Sequence, residues 1–328
     1  MLRLLKWVGA LLLVLVLGVT AVVLLGPVTQ VDLEPRFNSE TIGADLDVWL
    51  VEQEQGFPGI VPGTEKQVIW AGAEGEKTPM AIVYLHGFSG SSVDIKPVPE
   101  LVAEALGANL FLARLTGHGL DGAALGAATS EDWIDDTAEA LAIGRRLGDK
   151  VLVIGTSTGG TLAIVAMSDP QLAEDVAGLV LISPNFRMKS TKARILDLGF
   201  ASIWAPWLMG AEYSTTPTSQ DHATYWTTTY PSSALLQVAA LVRAALTINP
   251  STIEVPLLVL YSPDDQVVEQ ARTVSFLEDW GGPVRWEPRD MTDQDDPNSH
   301  MITGDIRSPT QSAATVATIL DWAKGFGR

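Results

Sequence analysis

The chain has 328 residues, 47% of them hydrophobic, which is enough for the core of one large domain or of a domain with an insertion. Its formal net charge of −18 at pH 7 argues against a nucleic-acid partner and against adhesion to anionic lipid headgroups. The sequence contains no cysteine, so disulfide bonds, thiolate catalysis and cysteine metal sites are excluded.

The chain begins with an apolar segment that is long enough to cross a membrane. Arg3 and Lys6 precede Trp7–Gly26, a segment without any charged side chain. As a helix, this segment measures about 30 Å, the thickness of a bilayer core. The basic residues favour a cytoplasmic start and an extracytoplasmic body. We predict that residues 1–27 form a retained membrane anchor. The alternative is a cleaved signal peptide that leaves a secreted or periplasmic protein, although Val19–Ala21 is a poor cleavage site.

After a polar linker, the apolar pattern predicts alternating strands and helices. Strands are predicted at Lys66–Trp70, Met80–Leu85, Asn109–Ala113, Lys150–Ile154, Gly178–Ile182, Leu257–Tyr261 and Val284–Trp286. Helices are predicted at Ile42–Gln55, Pro99–Leu106, Trp133–Leu147 with Ser130 as its cap, Gly160–Met167 and Ser312–Lys324. Continuous apolar strands separated by helices indicate an α/β fold with a mostly parallel central sheet, covered by helices on both faces.

The alternation stops between Asn185 and Pro250. This segment is rich in Trp, Tyr and Phe, and it is too long and too apolar for a structureless loop. We therefore predict an inserted, mainly helical cap at residues 187–250. The core of the domain would then be formed by residues 28–186 and 251–328. Most of the aromatic side chains of the cap are expected to form its own core.

A Gly-x-Ser-x-Gly sequence, Gly155–Gly159, lies between a predicted strand and a predicted helix. Such a turn exposes its serine, here Ser157, and its glycines remove the Cβ atoms that would collide at the bend. The N-terminus of the following helix directs free N–H groups and a positive dipole end towards an oxyanion. The alternatives are an inert turn and a loop that binds phosphate or a dinucleotide. Such loops have Gly-Lys-Ser/Thr or Gly-x-Gly-x-x-Gly patterns, whereas this turn has the spacing Gly-x-x-x-Gly-Gly with no lysine before Met167.

A serine hydroxyl needs a base within hydrogen-bond reach and a carboxylate that orients this base. The histidines of the chain are His86, His118, His222 and His300. His300 lies in the loop after the last predicted strand, and Asp264 and Asp265 follow the strand that ends at Tyr261. The order Ser157, Asp265, His300 is the order of nucleophile, acid and base that this sheet architecture favours.

Together these motifs resemble those of the alpha/beta-hydrolase superfamily, in particular the branch of bacterial carboxylesterases and monoacylglycerol lipases. The resemblance covers about residues 80–325 except most of the cap. It rests on the segments His86–Phe88, Arg114–Gly119, Gly155–Gly159, Ser262–Val268 and Ser299–His300.

The resemblance implies a serine hydrolase that cleaves carboxylic esters through an acyl-enzyme. Ser157 would be the nucleophile, Asp265 the orienting acid and His300 the base, and the backbone N–H groups of Phe88 and Thr158 would form the oxyanion hole. The implied substrate is a small apolar acyl ester, and no cofactor or metal is implied. An acyltransferase or thioesterase that uses the same residues remains an alternative, as does a non-catalytic, membrane-tethered binding protein.

The same resemblance assigns structural roles to two further histidines. His86 would shape the oxyanion loop and His118 a turn, although both follow strands and remain alternatives as the base. His222, in the cap, is expected to pack or to face solvent. The family pattern of an acid, a variable residue and two apolar residues fits Asp265 better than Asp264. A solvated acidic loop without the ligand spacing of a calcium site is predicted at Asp290, Asp293, Asp295 and Asp296.

Overall fold

The computed structural model describes residues 2–327. Its strands are β1 (Gln67–Ile69), β2 (Thr78–Leu85), β3 (Asn109–Leu112), β4 (Gly148–Thr156), β5 (Val176–Ile182), β6 (Glu212–Ser214), β7 (Thr229–Pro231), β8 (Leu257–Tyr261) and β9 (Val284–Pro288). Within the described residues the central sheet has the order β1-β3-β2-β4-β5-β8-β9, and β1 alone is antiparallel to its neighbour. The predicted α/β class with a mostly parallel sheet is therefore confirmed.

Helices cover both faces of this sheet. The helices of the described residues are α1 (Leu2–Leu25), α2 (Leu46–Glu54), α3 (Val98–Leu106), α4 (Gly122–Ala127), α5 (Ser130–Leu147), α6 (Thr158–Met167), α7 (Ala201–Met209), α8 (Gln220–Tyr225), α9 (Ala234–Ala245), α10 (Gln270–Leu277) and α11 (Ser312–Ala323). Successive strand residues point to opposite faces. In β2, Val83 therefore packs in the cluster that includes α2, α5, α6 and α10, and Tyr84 packs in the cluster that includes α3 and α11.

Helix α5 corrects one detail of the sequence analysis, because its N-cap is Thr129 rather than Ser130. The Thr129 hydroxyl accepts the N–H of Asp132 at 3.2 Å, and the Asp132 carboxylate accepts the N–H of Thr129 at 2.9 Å. This is a capping box. Ser130 instead donates to the carbonyl oxygen of Gln237 at 2.8 Å, which joins α5 to α9. Ser and Thr both favour the cap position, so two neighbouring hydroxyls could not be ranked from sequence.

The segment predicted as a cap contains α7, α8 and α9, together with an antiparallel pair formed by β6 and β7. Leu241 and Val242 of α9 pack in a cluster with Leu162 and Val165 of α6. This contact joins the cap to the core behind the Gly-x-Ser-x-Gly turn. We keep residues 187–250 as the proposed bounds of the cap.

Helix α1 is long and apolar enough to cross a membrane, and its apolar window has no residue buried inside the protein. The end of α1 contacts the cap segment. The N–H of Gly199 donates to the carbonyl oxygen of Val23 at 2.7 Å, and the N–H of Phe200 donates to that of Pro27 at 2.8 Å. A Cβ atom at Gly199 would lie 2.6 Å from the Cα of Gly26, so this close approach requires glycine.

Candidate active site

Two of the predicted catalytic residues, Ser157 and Asp265, follow parallel strands at the carboxyl edge of the central sheet, as does His86. Ser157 directly follows β4, His86 directly follows β2, and Asp265 lies in the turn after β8. His300 comes from the loop between β9 and α11. Loops at this edge of a parallel sheet meet over the strand ends, which explains why side chains distant in sequence converge here.

Ser157 occupies a strained turn between β4 and α6. Its φ of 51° and ψ of −113° are unfavourable for a residue with a Cβ atom. Both flanking glycines are sterically required: a Cβ atom at Gly155 would lie 2.7 Å from the carbonyl oxygen of Gly159, and one at Gly159 would lie 2.1 Å from that of Leu85. The N–H of Ser157 donates to Ile182 at 2.9 Å, which fixes the turn to β5. This geometry holds the serine hydroxyl at the edge of the sheet.

The side chains of Ser157, His300 and Asp265 form a connected hydrogen-bond series. The Ser157 Oγ lies 3.1 Å from the His300 Nε2, and the His300 Nδ1 lies 2.8 Å from the Asp265 Oδ2. All three residues are buried. The carboxylate favours the tautomer in which Nδ1 carries the proton, and this leaves Nε2 free to accept a proton from the serine.

Asp265, and not Asp264, faces the imidazole. Its Oδ1 accepts the N–H groups of Val267 at 2.7 Å and Val268 at 2.9 Å, and its Oδ2 also accepts the side-chain amide of Gln270 at 3.0 Å. Asp264 is exposed to solvent. The geometry thus agrees with the orientation that the sequence pattern predicted for this pair, and Gln270 is a partner that the sequence analysis did not name.

The predicted oxyanion donors come from two separate segments near the serine, the loop after β2 and the start of α6. Within residues 2–327, neither the N–H of Phe88 nor that of Thr158 donates to another protein group. Thr158 is the first residue of α6, so its N–H is one of the free donors of the helix N-terminus. A Cβ atom at Gly87 would lie only 3.4 Å from the Cβ of Ser157, which shows how closely the Phe88 loop approaches the serine.

Asp94, which the sequence analysis missed, forms a hydrogen bond with the loop that carries Phe88. Its Oδ2 accepts the N–H of Gly87 at 3.1 Å, and its Oδ1 accepts the hydroxyl of Tyr84. Burial raises the pKa of the Asp94 carboxyl to about 7. No sequence motif marks this residue, since its partners become apparent only once β2 and the following loop are folded.

His86 and His118 hold loops rather than facing the serine. The Nδ1 of His86 donates to Gly87 at 2.9 Å and its Nε2 accepts the N–H of Leu115 at 3.1 Å, while the Nδ1 of His118 lies 3.2 Å from the carbonyl oxygen of Thr116. Burial lowers the pKa of His86 to about 4 and that of His118 well below its ordinary value. In the described part of the chain, neither imidazole hydrogen-bonds to the serine hydroxyl.

His222 does more than pack or face solvent, and this corrects the expectation from sequence. Its Nδ1 accepts a hydrogen bond of 2.8 Å from Arg307, which also donates to the hydroxyl of Thr218 at 2.6 Å and to the carboxylate of Asp296. Asp296 in turn accepts the backbone N–H of His300 at 3.2 Å. Sequence could not reveal this cluster, because its members belong to the cap and to a loop far along the chain.

The acidic loop is only partly solvated, which is a second correction. Asp290 and Asp293 are exposed, but Asp295 and Asp296 are buried. Asp295 accepts the hydroxyl of Thr310 at 2.7 and 2.8 Å, so its charge stabilises the loop. Across residues 2–327, no group of three or more His, Cys, Asp or Glu side chains is arranged to hold a metal ion.

The sheet order, the strained serine turn and the converging loops define an alpha/beta-hydrolase. A profile of the family described as "Serine aminopeptidase, S33" matches residues 76–284, which is more than half of the chain. The chain therefore belongs to this hydrolase family, and the resemblance found in its sequence is confirmed. The matched range ends before His300, so the geometry described above is the main support for the place of that residue.

Relatives and solved structures agree with this assignment. The chain is 28% identical over 218 residues to the thermostable monoacylglycerol lipase of Bacillus sp. (strain H-257), a match that covers 62% of this chain and 79% of that protein. A solved structure reported for the metagenome-derived lipolytic enzymes LipS and LipT superposes with a TM-score of 0.66 at 21% identity and covers 81% of this chain and 99% of the other. For a monoglyceride lipase of Saccharomyces cerevisiae the TM-score is 0.58 at 13% identity, with coverage of 82% and 97%. These structural matches show a shared fold.

Proposed function

We propose that the protein hydrolyses small apolar carboxylic esters through an acyl-enzyme. The observation that carries this proposal is the hydrogen-bond series of three side chains that begins at Ser157, on a strained turn. The Ser157 Oγ lies 3.1 Å from the His300 Nε2, and the His300 Nδ1 lies 2.8 Å from the Asp265 Oδ2. A nucleophile, a base and an orienting acid in this geometry constitute the machinery of acyl transfer. The name of the Bacillus relative supports an acylglycerol as the kind of ester.

In the proposed mechanism, Ser157 attacks the ester carbonyl while His300 takes the hydroxyl proton at Nε2. Asp265 keeps the imidazole in the required tautomer and stabilises the imidazolium. The N–H groups of Phe88 and Thr158 stabilise the negative charge that develops on the carbonyl oxygen. The imidazolium then protonates the leaving alcohol. Water, activated by the same base, releases the acid and restores the serine.

A fluorophosphonate probe tests this mechanism directly. We expect the full-length protein to be labelled at Ser157 and to hydrolyse a panel of p-nitrophenyl esters of different chain length. The Ser157→Ala protein should be folded, unlabelled and inactive. A binding protein without an activated serine would not be labelled, which would overturn the proposal.

The acceptor must be tested separately, because an acyltransferase or a thioesterase would label in the same way. Acyl release is measured with and without an added alcohol, with a thioester, and with an aminoacyl anilide in view of the description of the family. Faster turnover of the thioester or the anilide than of every oxygen ester would replace the ester proposal.

We further propose that α1 anchors the protein in a membrane, with the catalytic domain on the extracytoplasmic side. The cap surface beside the end of α1 supports this. Residues 198–211 contain no charged side chain although the chain is strongly acidic. Ile203, Trp207 and Leu208 of α7 are 65%, 90% and 69% exposed, while Ala201 and Ala205 on the other side of the helix are buried. Such an outward apolar face suits the lipid interface.

The position of the mature N-terminus tests the anchor. We expect full-length protein in the membrane fraction, resistant to extraction by carbonate and accessible to an extracellular protease. Recovery of the protein from the periplasm or the medium, with a new N-terminus near residue 22, would show that the segment is a cleaved signal peptide.

A further inference from the structure

Arg307 is buried between the cap and the loop that carries His300. Its side chain is only 6% exposed, and that of its partner Asp296 is 2% exposed. Through its second oxygen, Asp296 accepts the backbone N–H of His300 at 3.2 Å and that of Met301 at 2.9 Å. The charge of Arg307 is therefore connected to the backbone of the proposed base through one intervening carboxylate.

The same guanidinium contacts the cap. Arg307 donates to the hydroxyl of Thr218 at 2.6 Å and to the Nδ1 of His222 at 2.8 Å, both at the start of the segment that contains α8. The far end of this segment contacts the oxyanion loop, where the N–H of Thr227 donates to the carbonyl oxygen of Ser89 at 2.8 Å. One short cap segment thus bridges the two loops that carry the proposed base and the proposed oxyanion donor.

The base loop needs such support. Ser299, which precedes His300, has a φ of 51°, a conformation that is unfavourable for serine and that persists only where its surroundings hold it. Burial alone would raise the pKa of Asp296, but the N–H of Met301 and the charge of Arg307 keep it below its ordinary value. The group is therefore a carboxylate at neutral pH. A buried guanidinium also requires that its donors be satisfied, and the cap supplies two of the acceptors.

We propose that Arg307 is a positioning residue that couples the cap to the base: through Asp296 it fixes the loop of His300, and through His222 and Thr218 it fixes that loop to the cap. The proposal rests on the proposed function only in taking His300 as the base. It predicts that a change in the cap, remote from the serine, alters the rate of the chemical step even for a short ester.

Four variants of the full-length protein separate this role from a purely structural one. Arg307→Met removes the charge but keeps most of the side-chain length. The ring of His222 packs edge-on against that of Trp226, with the ring centroids 5.0 Å apart. His222→Phe keeps a ring at this position but removes the Nδ1 acceptor. His222→Asn restores an acceptor near that position. Arg243→Met is the matched control, because Arg243 is an arginine of the cap itself and pairs with Asp197, away from the base loop.

For each variant, kcat for a short soluble ester and the rate of fluorophosphonate labelling are measured per active site, with Tm as the measure of folding. We expect Arg307→Met to lower both rates by about 10²-fold, the effect of a misplacement of about 1 Å. His222→Phe should lower both by about tenfold, which corresponds to about 1.4 kcal/mol. His222→Asn and Arg243→Met should stay within about twofold of the parent, well under 1 kcal/mol.

A merely structural role would lower Tm and the yield of folded protein but leave the rates per active site unchanged. The double variant His222→Phe/Arg307→Met should be no slower than Arg307→Met alone, because both changes break the same connection. Normal rates in folded Arg307→Met, or losses that multiply in the double variant, would overturn the proposal. If Arg307→Met does not fold, the contrast between the two His222 variants decides. A parent protein that is not labelled would remove the proposed function, and this inference with it.

Discussion

At the carboxyl edge of the sheet, the Asp265 carboxylate accepts four hydrogen bonds and its side chain is fully buried. In the cap, by contrast, Trp207 is 90% exposed and lies in a segment without charged side chains. The two regions are therefore suited to different tasks. Buried and fully bonded groups suit a fixed chemical step, whereas an exposed apolar face suits contact with a substrate or a lipid surface. Mutations in the two regions should therefore affect different measurements.

The largest effect is expected at the base. Replacing His300 by alanine should lower kcat by about 10⁴ or more, because without the base the serine and the acid contribute little on their own. His118→Ala should act mainly through stability, since His118 holds a turn and does not contact the serine. Stopped assays on purified proteins of equal near-UV circular dichroism provide the measurement. Equal losses of kcat in both folded variants would contradict this distinction.

The next effect concerns the neighbouring carboxylates. Asp265→Asn should lower kcat by about 10⁴, the loss that accompanies the wrong imidazole tautomer in a comparable triad. Asp264→Asn should stay within about tenfold of the parent, or about 1.4 kcal/mol, because Asp264 faces solvent. The two variants differ by one position, so each serves as the control for the other. The reverse ranking would assign the orienting role to Asp264.

A substitution on the apolar face of the cap should lower the turnover of lipid-borne esters without lowering that of soluble esters. Trp207→Gln should reduce turnover of an ester presented in vesicles by about fivefold, equivalent to about 1 kcal/mol of lost interfacial contact. Its turnover of a short soluble ester should equal that of the parent. The measurement compares both substrates with protein reconstituted in the same vesicles. A loss of the same size on the soluble ester would mean that Trp207 acts on the site itself.

The smallest effect is a dependence of stability on pH. Burial and, to a lesser extent, Arg307 lower the pKa of His222 from 6.5 to about 4, so the folded protein favours the neutral imidazole. The contribution of His222 to stability is then complete above pH 6.5 and is lost as the pH falls towards 4. Urea unfolding should show a smaller decrease over this range in His222→Asn than in the parent. His86 and His118 are present in both proteins and cancel in the comparison; an equal or larger decrease in the variant would contradict the expectation.

The sequence predicted most of the sheet, and it did so for a physical reason. A parallel strand that is buried on both faces needs an unbroken apolar run, and runs such as Leu257–Tyr261 match the observed strand bounds. The short helices α4 and α10 were missed, because a helix of one or two turns is too short to show a clear apolar periodicity. The serine turn was predicted because local sterics require its glycines, and the structure shows those close contacts at Gly155 and Gly159.

The contacts around the site were less predictable than its central residues. Ser157, Asp265 and His300 follow a chain order that motifs can record, and their catalytic roles stay a prediction for mutagenesis. Arg307 and Asp94 have no such motif. Their importance depends on which loops become neighbours after folding. The sequence alone does not distinguish a solvent-exposed charge in a loop from a charge that is buried and hydrogen-bonded.

Two backbone hydrogen bonds between the end of α1 and the cap would restrict the motion of the catalytic domain relative to a membrane that α1 spans. With Gly199 bonded to Val23 and Phe200 bonded to Pro27, residues 23–27 cannot act as a freely rotating tether. In the proposed membrane-bound state, the catalytic domain would keep one orientation and one height above the bilayer. The rate at which it meets lipid-borne esters would then depend on lateral diffusion of the protein and the ester within the bilayer. Because the orientation of the domain is fixed, the effective concentration of ester at the active site would stay constant.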